Sequence, residues 1–145
     1  LSAAIALSPN YAQAIYSKAW AEMTQCDVGH SDEHAELALR LSPLDPLRYA
    51  MLGVRSVSAL MRGDHQSALE WGERAAQSPG AHKHIAVIAA IAAEASGNHE
   101  RAAQWIGRAR QLDPQVSRAT FLRSFPFAAT SGREMIERAL QDTGL

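Results

Sequence analysis

The sequence predicts an all-α fold, a solenoid of antiparallel helix pairs, and two observations carry that expectation. Arg62 to Gln77 is echoed by the stretch that begins at Ser96: Gly63/Gly97, His65/His99, Ala68/Ala102, Trp71/Trp105, Arg74/Arg108, Ala75/Ala109 and Gln77/Gln111 match at an offset of 34. That offset is the period of a helix-turn-helix repeat. The composition agrees, because 47% of the residues are hydrophobic, Ala dominates them, and only 6% are aromatic. Small apolar side chains with few β-branched runs favour closely packed helices over sheets.

Leu1 to Leu7 is apolar at helical spacing and stops at Ser8-Pro9, as the second helix of a unit would. Asn10 to about Gln25 reads as the first long helix, with Ala14, Ile15, Ala19 and Met23 as its apolar stripe beside Tyr16 and Trp20. Cys26 to His30 breaks it, with Gly29 as the expected left-handed turn residue, and a short partner helix follows over Ser31 to Arg40. In the linker Ser42-Pro43-Leu44-Asp45-Pro46, Asp45 is placed to cap the next helix and Pro46 to occupy its first position. Leu47 to Met61 with Ser67 to Gln77 form a second unit, and His82 to Ala95 with Glu100 to Gln111 a third. Their turns carry Gly63-Asp64 and Gly97-Asn98, a C-cap followed at once by an N-cap, which reverses the chain. Asp113-Pro114 opens a helix from Gln115 to about Ser124 that Pro126 ends. Ser131 with Glu134 is a capping box for a last helix running to Thr143, with Gly144 as its C-cap. This final pair lacks the Gly-x-His turn and reads as a capping pair.

With 145 residues the chain is one domain by size. A net charge of −1 directs no field at nucleic acid or at an anionic membrane. The single cysteine, Cys26, excludes an intramolecular disulfide and fits a reducing, cytoplasmic setting. No apolar run reaches the ~18 residues of a membrane span. Neither Gly-x-Ser-x-Gly nor Ser-x-x-Lys occurs, nor a phosphate-binding glycine loop, so the expectation is a non-catalytic segment without a cofactor. Beginning on Leu, residues 1–145 read as one domain cut from a longer protein.

These residues resemble the tetratricopeptide repeat family. Ala90, Gly97, His99, Ala102, Ile106, Ala109 and Pro114 fall at the family's small, turn, aromatic-like, Ala, large apolar, Ala and Pro positions. Ser56, Gly63, His65, Ala68, Ala75 and Pro79 repeat the pattern, with Gly72 where a large residue is usual; Ala19, Ala38 and Pro43 repeat it once more. The resemblance implies a right-handed α-solenoid whose first helices line a concave groove. Projected onto this chain, the family's groove positions are Gln13, Tyr16, Trp20 and Met23, then Ala50, Val57 and Met61, then His84, Val87, Ile91 and Glu94, then Arg118 and Phe121. Such a groove would take an apolar or amphipathic segment of a protein or peptide partner, although the same residues could simply pack between neighbouring first helices. The family's carboxylate-clamping lysine and asparagine are replaced by Tyr16, Trp20, Gly53 and Val57, so a free C-terminus is not the expected ligand.

A narrower resemblance links the Leu-Ser-Pro-x-Asp-Pro linker and the ending Phe125-Pro126-Phe127, Glu134, Ile136, Leu140, Gly144-Leu145 to the C-terminal repeat regions of some bacterial adenylate or guanylate cyclases and related signalling regulators. It implies a regulatory or oligomerising tail that contacts other domains of its parent chain or a second copy. Trp71 and Trp105, on second helices, are expected to pack against the following unit. His30 and His34 are four apart and could meet a metal, but their spacing is not that of a zinc hydrolase, and a structural role is the expectation. Arg55, Arg62, Arg101, Arg108 and Arg110 lie among acids and read as solvated helix surface.

Overall fold

Three short turns set the architecture. The computed structural model of the protein describes residues 9–145, so the helix expected over Leu1 to Leu7 lies outside the described residues. Among the described residues there are eight helices: α1 (Pro9–Thr24), α2 (Val28–Leu41), α3 (Arg48–Met61), α4 (His65–Gln77), α5 (Lys83–Ala95), α6 (His99–Leu112), α7 (Arg118–Ser124) and α8 (Ser131–Asp142). The turns at 25–27, 62–64 and 96–98 close in the same way. Gly63 N donates to Leu60 O (3.0 Å) and Asp64 N to Ala59 O (2.9 Å); Gly97 N and Asn98 N repeat this on Glu94 O and Ala93 O. This is the Schellman ending, in which the residue after the C-cap takes a left-handed conformation and the last carbonyls stay satisfied. Asp64 and Asn98 then accept from Ser67 N and Arg101 N, capping α4 and α6 within one residue of the turn.

The first turn follows the same scheme with a different residue from the one the sequence suggests. Cys26, at φ 60°, holds the left-handed position, with Cys26 N on Met23 O and Asp27 N on Glu22 O. Gly29 lies inside the first turn of α2, which therefore begins at Val28 rather than Ser31. Where α1 ends fixes the left-handed position, and the nearest glycine is too far along the chain to serve. Other boundaries shift for similar local reasons. Buried Asp45 accepts from Leu47 N at 2.9 Å, closing a turn instead of capping α3, so Pro46 stands two residues ahead of that helix. Asp113 does likewise for Gln115 N, and α7 waits for Ser117, whose capping box is with Thr120. Thr130, one residue before Ser131, caps α8 through Arg133 N.

The helices pack as sequential adjacent pairs, consistent with a helical repeat: α1 with α2, α3 with α4 and α5 with α6, joined by α2 against α3 and α4 against α5. The first helices also touch, α1 on α3 and α3 on α5. α7 and α8 do not add a fourth pair of this kind, which corrects the expected capping pair. The irregular segment 125–130 carries the chain back, and α8 packs on α3 and α5.

Small residues make the stacking tight. Ala59, Ala68, Ala75, Ala89, Ala90, Ala92, Ala93 and Ala109 are buried, and Gly72 of α4 lies between α3 and α5. A Cβ there would sit 2.8 Å from Ser56 Oγ and 3.3 Å from Ala89 Cα. Ser56 Oγ is held in place by donating to Ala68 O at 2.6 Å, and a second buried pair, Ser31 Oγ and Ser58 Oγ at 2.7 Å, ties α2 to α3. Gly107 of α6 meets nothing within 4 Å. Gly72→Val is expected to cost about 3 kcal/mol through overpacking. Gly107→Ala is expected to add about 0.5–1 kcal/mol by helix propensity. Thermal melting of the two variants beside the parent chain checks both signs.

Candidate functional site

The residues projected as a groove belong to α1, α3 and α5, with Arg118 and Phe121 on α7, and the structure divides them into a covered set and a set along an open cleft. In the covered set, Met23, Val57, Val87 and Ile91 are buried in one core cluster with Ile136, Ala139 and Leu140 of α8, and Met61 packs against that cluster. Gly132, in the first turn of α8, is seated so closely that a Cβ would lie 3.2 Å from Met61 Sδ and 3.3 Å from Cys26 Sγ. The approach to α8 is pinned as well. Ala128 N donates to Thr24 O at 2.7 Å, Thr130 Oγ1 to Cys26 Sγ at 2.9 Å, and Arg133 Nη1 to Phe127 O at 2.7 Å. Cys26 therefore acts twice, since its backbone turns the chain and its sulfur receives the returning segment.

Phe121, expected on the groove surface, is instead wholly buried. It stacks on Phe125 with centroids 4.7 Å apart, and Phe125 in turn stacks near Phe127 at 6.1 Å. Five projected positions, Met23, Val57, Val87, Ile91 and Phe121, are therefore buried in the described structure and closed to any partner. Glu94 borders a gap of about 370 Å³ between the end of α5 and α8, where Met135, Arg138 and Asp142 also line the space. Its carboxylate accepts from His99 Nδ1 at 2.6 Å. Gln13 and Arg118 are exposed.

The open half is a cleft of about 270 Å³ bounded by Tyr16 and Trp20 of α1, Ala50, Gly53 and Val54 of α3, His82, His84, Ile85 and Ile88 at the start of α5, and Ser124 with Phe125. His84 is 8% exposed and lies edge-on to both Phe121 and Phe125. Ser124 Oγ is 3.2 Å from its Nε2, while its Nδ1 is buried without a hydrogen-bond partner. Burial, reinforced by neighbouring His82 and Lys83 against a small opposing pull from Asp113, lowers the His84 pKa to about 4. Burial also pushes Tyr16 up to about 12, with Tyr49 adding to it. Both groups are uncharged at neutral pH, so the cleft presents aromatic surface and neutral polar groups.

The remaining sequence candidates have structural partners. His30 Nδ1 donates to Asp27 at 2.9 Å and His34 Nδ1 to Glu22 at 2.7 Å, and no group of three or more His, Cys, Asp or Glu that could hold a metal ion occurs among the described residues. Trp105 Nε1 donates to Glu73 of the preceding unit at 2.8 Å, and Trp71 lies under the guanidinium of Arg55 at 4.2 Å, so these two contacts run back along the chain instead of forward. Arg55, expected on a solvated surface, is largely covered and donates from Nε to Asp32 at 3.0 Å, joining α2, α3 and α4. Sequence reasoning missed His82, Ser124 and Phe125 as cleft walls and Cys26 as the receptor for the returning segment. The Ser124-Phe125-Pro126-Phe127 break was the visible signal, since two aromatic residues flanking a proline outside a helix need somewhere to be buried.

Comparison with protein-family models, with curated proteins and with solved structures finds no match for this chain. Among the described residues, no helix is long and apolar enough to cross a membrane.

The site carries a pH signature. An imidazole whose folded pKa lies at about 4, below the ordinary 6.5, is protonated first in the unfolded chain. The stability it contributes is complete above about pH 6.5 and is lost as the pH falls towards 4, and His82, also lowered by burial, acts in the same direction. His84→Leu should flatten the fall in melting temperature between about pH 6.5 and 4.5, measured by calorimetry at fixed ionic strength.

Proposed function

We propose that the chain is a protein-interaction module of the tetratricopeptide kind, in which α1, α3 and α5 form a concave face that receives an amphipathic helix. The observation that supports this reading is α8 itself. It is a strongly amphipathic helix whose buried residues Ile136, Ala139 and Leu140 follow the i, i+3, i+4 spacing of a helix seated in a groove, and it lies on α3 and α5. Among the described residues, no hydrogen bond or ion pair joins α8 to either helix, and a gap remains beside Met135 and Arg138. The contact is apolar, incompletely packed and built from few side chains. An external helix with a similar apolar stripe and a better fit would therefore replace α8, with Met61, Val57, Val87 and Ile91 as the surface it meets. On this reading the chain's own α8 is the resting occupant of the groove, and partner affinity is lowered by the free energy of displacing it.

The test separates α8 from its seat without removing it. Ile136→Asp with Leu140→Asp should release the helix, and a synthetic peptide of residues 125–145 should then bind the double variant at micromolar Kd by calorimetry. The parent chain should bind it at least about tenfold more weakly. Leu140→Ala serves as the milder variant should the double one lose its helical circular dichroism. A peptide that fails to bind either folded variant would sink the proposal.

A further inference from the structure

The cleft between α1, α3 and the first turn of α5 is a different kind of surface from the one that α8 covers. At about 270 Å³ it exceeds the roughly 150 Å³ of an apolar cavity that takes a benzene ring. A helix does not fit in such a space, whereas one or two fused rings do. Five of its lining residues carry flat rings: Tyr16, Trp20, His82, His84 and Phe125. Among the described residues, no Lys, Arg, Asp or Glu lines it. In one wall the fold leaves a polar atom unmatched, His84 Nδ1, and on the other side of the same ring Ser124 Oγ sits beside Nε2. An unpartnered buried nitrogen carries a desolvation cost that a folded chain seldom retains without use.

We propose that this cleft is a binding site for a compact, uncharged aromatic molecule of one or two rings that carries a single hydrogen-bonding group. The rings lining it, Tyr16 and Trp20 from α1 and the His84/Phe125 pair, select a planar ligand, through offset stacking and edge-to-face contact. The absence of any charged side chain selects against an ion, because a carboxylate or ammonium group would lose its hydration and find no counter-charge. The Ser124 hydroxyl and the neutral His84 ring supply the polar contact that orients the ligand. Ser124 and Phe125 also stand where α7 gives way to the segment leading to α8, so the ligand would rest on the root of the returning chain. The proposal does not depend on whether α8 leaves its seat, and the two experiments fail independently.

The same chemistry could arrive free or on a protein as an aromatic side chain, and the assignment here is to the free molecule. Titration of the full chain with indole, phenol, benzamide and quinoline, followed by amide chemical shifts and calorimetry, should give one-to-one saturable binding for at least one probe. The expected Kd is below about 1 mM, with shifts centred on Gly53, Ser124 and Phe125. Indole-3-acetate should bind at least about tenfold more weakly than indole. Trp20→Ala should weaken binding at least about tenfold, and Ala50→Leu, which fills the cleft with apolar atoms, should abolish it while leaving the melting temperature equal or higher. Four outcomes would each overturn the proposal: no saturable binding by any probe, unchanged binding in folded Ala50→Leu, equal affinity for indole-3-acetate, or N-acetyl-tryptophanamide binding more tightly than indole.

Discussion

The close approach of α4 to α3 on one side and α5 on the other, at Gly72, is the constraint on which the rest of the structure depends. Second helices come this near to two neighbours only if their facing residues have almost no side chain, and Ala68, Gly72 and Ala75 meet that condition along one stripe. The cost of so narrow a gap is that larger apolar groups cannot fill it. The chain uses a hydroxyl instead, with Ser56 bridging to the Ala68 carbonyl where a methyl group would leave that oxygen with one partner fewer. Buried serines in a helical core are normally a weakness. Here Ser31, Ser56 and Ser58 each have a partner, so small size is gained without an unmet polar group.

With the second helices held this tightly, the first helices form a continuous side of their own. That side is apolar, and an apolar side in water must be covered. The chain covers part of it by turning back on itself. Phe125 and Phe127 bury their rings, the Ala128 amide finds the last carbonyl of α1, and α8 lies on α3 and α5. The binding geometry of the returning segment is uneven: its entry is fixed by hydrogen bonds to Thr24 and Cys26, whereas α8 itself rests on side-chain contacts alone.

The repeat period and the Gly-Asp and Gly-Asn turns were legible in the sequence because each is a local rule, and local rules predicted α3 to α6 closely. They failed where two residues competed for one local role. Gly29 is the better left-handed residue in the abstract, yet Cys26 stands at the position that the end of α1 dictates. Asp45 and Asp113 look like caps, and both are consumed by turns of their own before the helix begins. The face carrying Trp20, Met61 and Ile91 was identifiable from the repeat pattern, but its covering was not. Periodicity shows that α8 has a buried stripe and is silent on which surface buries it, since that depends on an irregular segment, 125–130, whose path no propensity encodes.

The division of the shared side into covered and open halves follows from where the returning segment turns. Phe125 is the pivot, because its ring closes one wall of the cleft while its backbone starts the path towards Cys26. Beyond that point α8 supplies Ile136, Ala139 and Leu140, and nothing polar is needed because the surface below is Val and Ile. On the near side no segment arrives among the described residues, and the surface there adds aromatic rings to Val54, Ile85 and Ile88, with His84 held neutral by its own burial. Protonating that ring would place a charge between Phe121 and Phe125 with a hydroxyl as its hydrogen-bonding neighbour. The aromatic stack, the neutral imidazole and the path of the returning segment thus meet at one residue, Phe125.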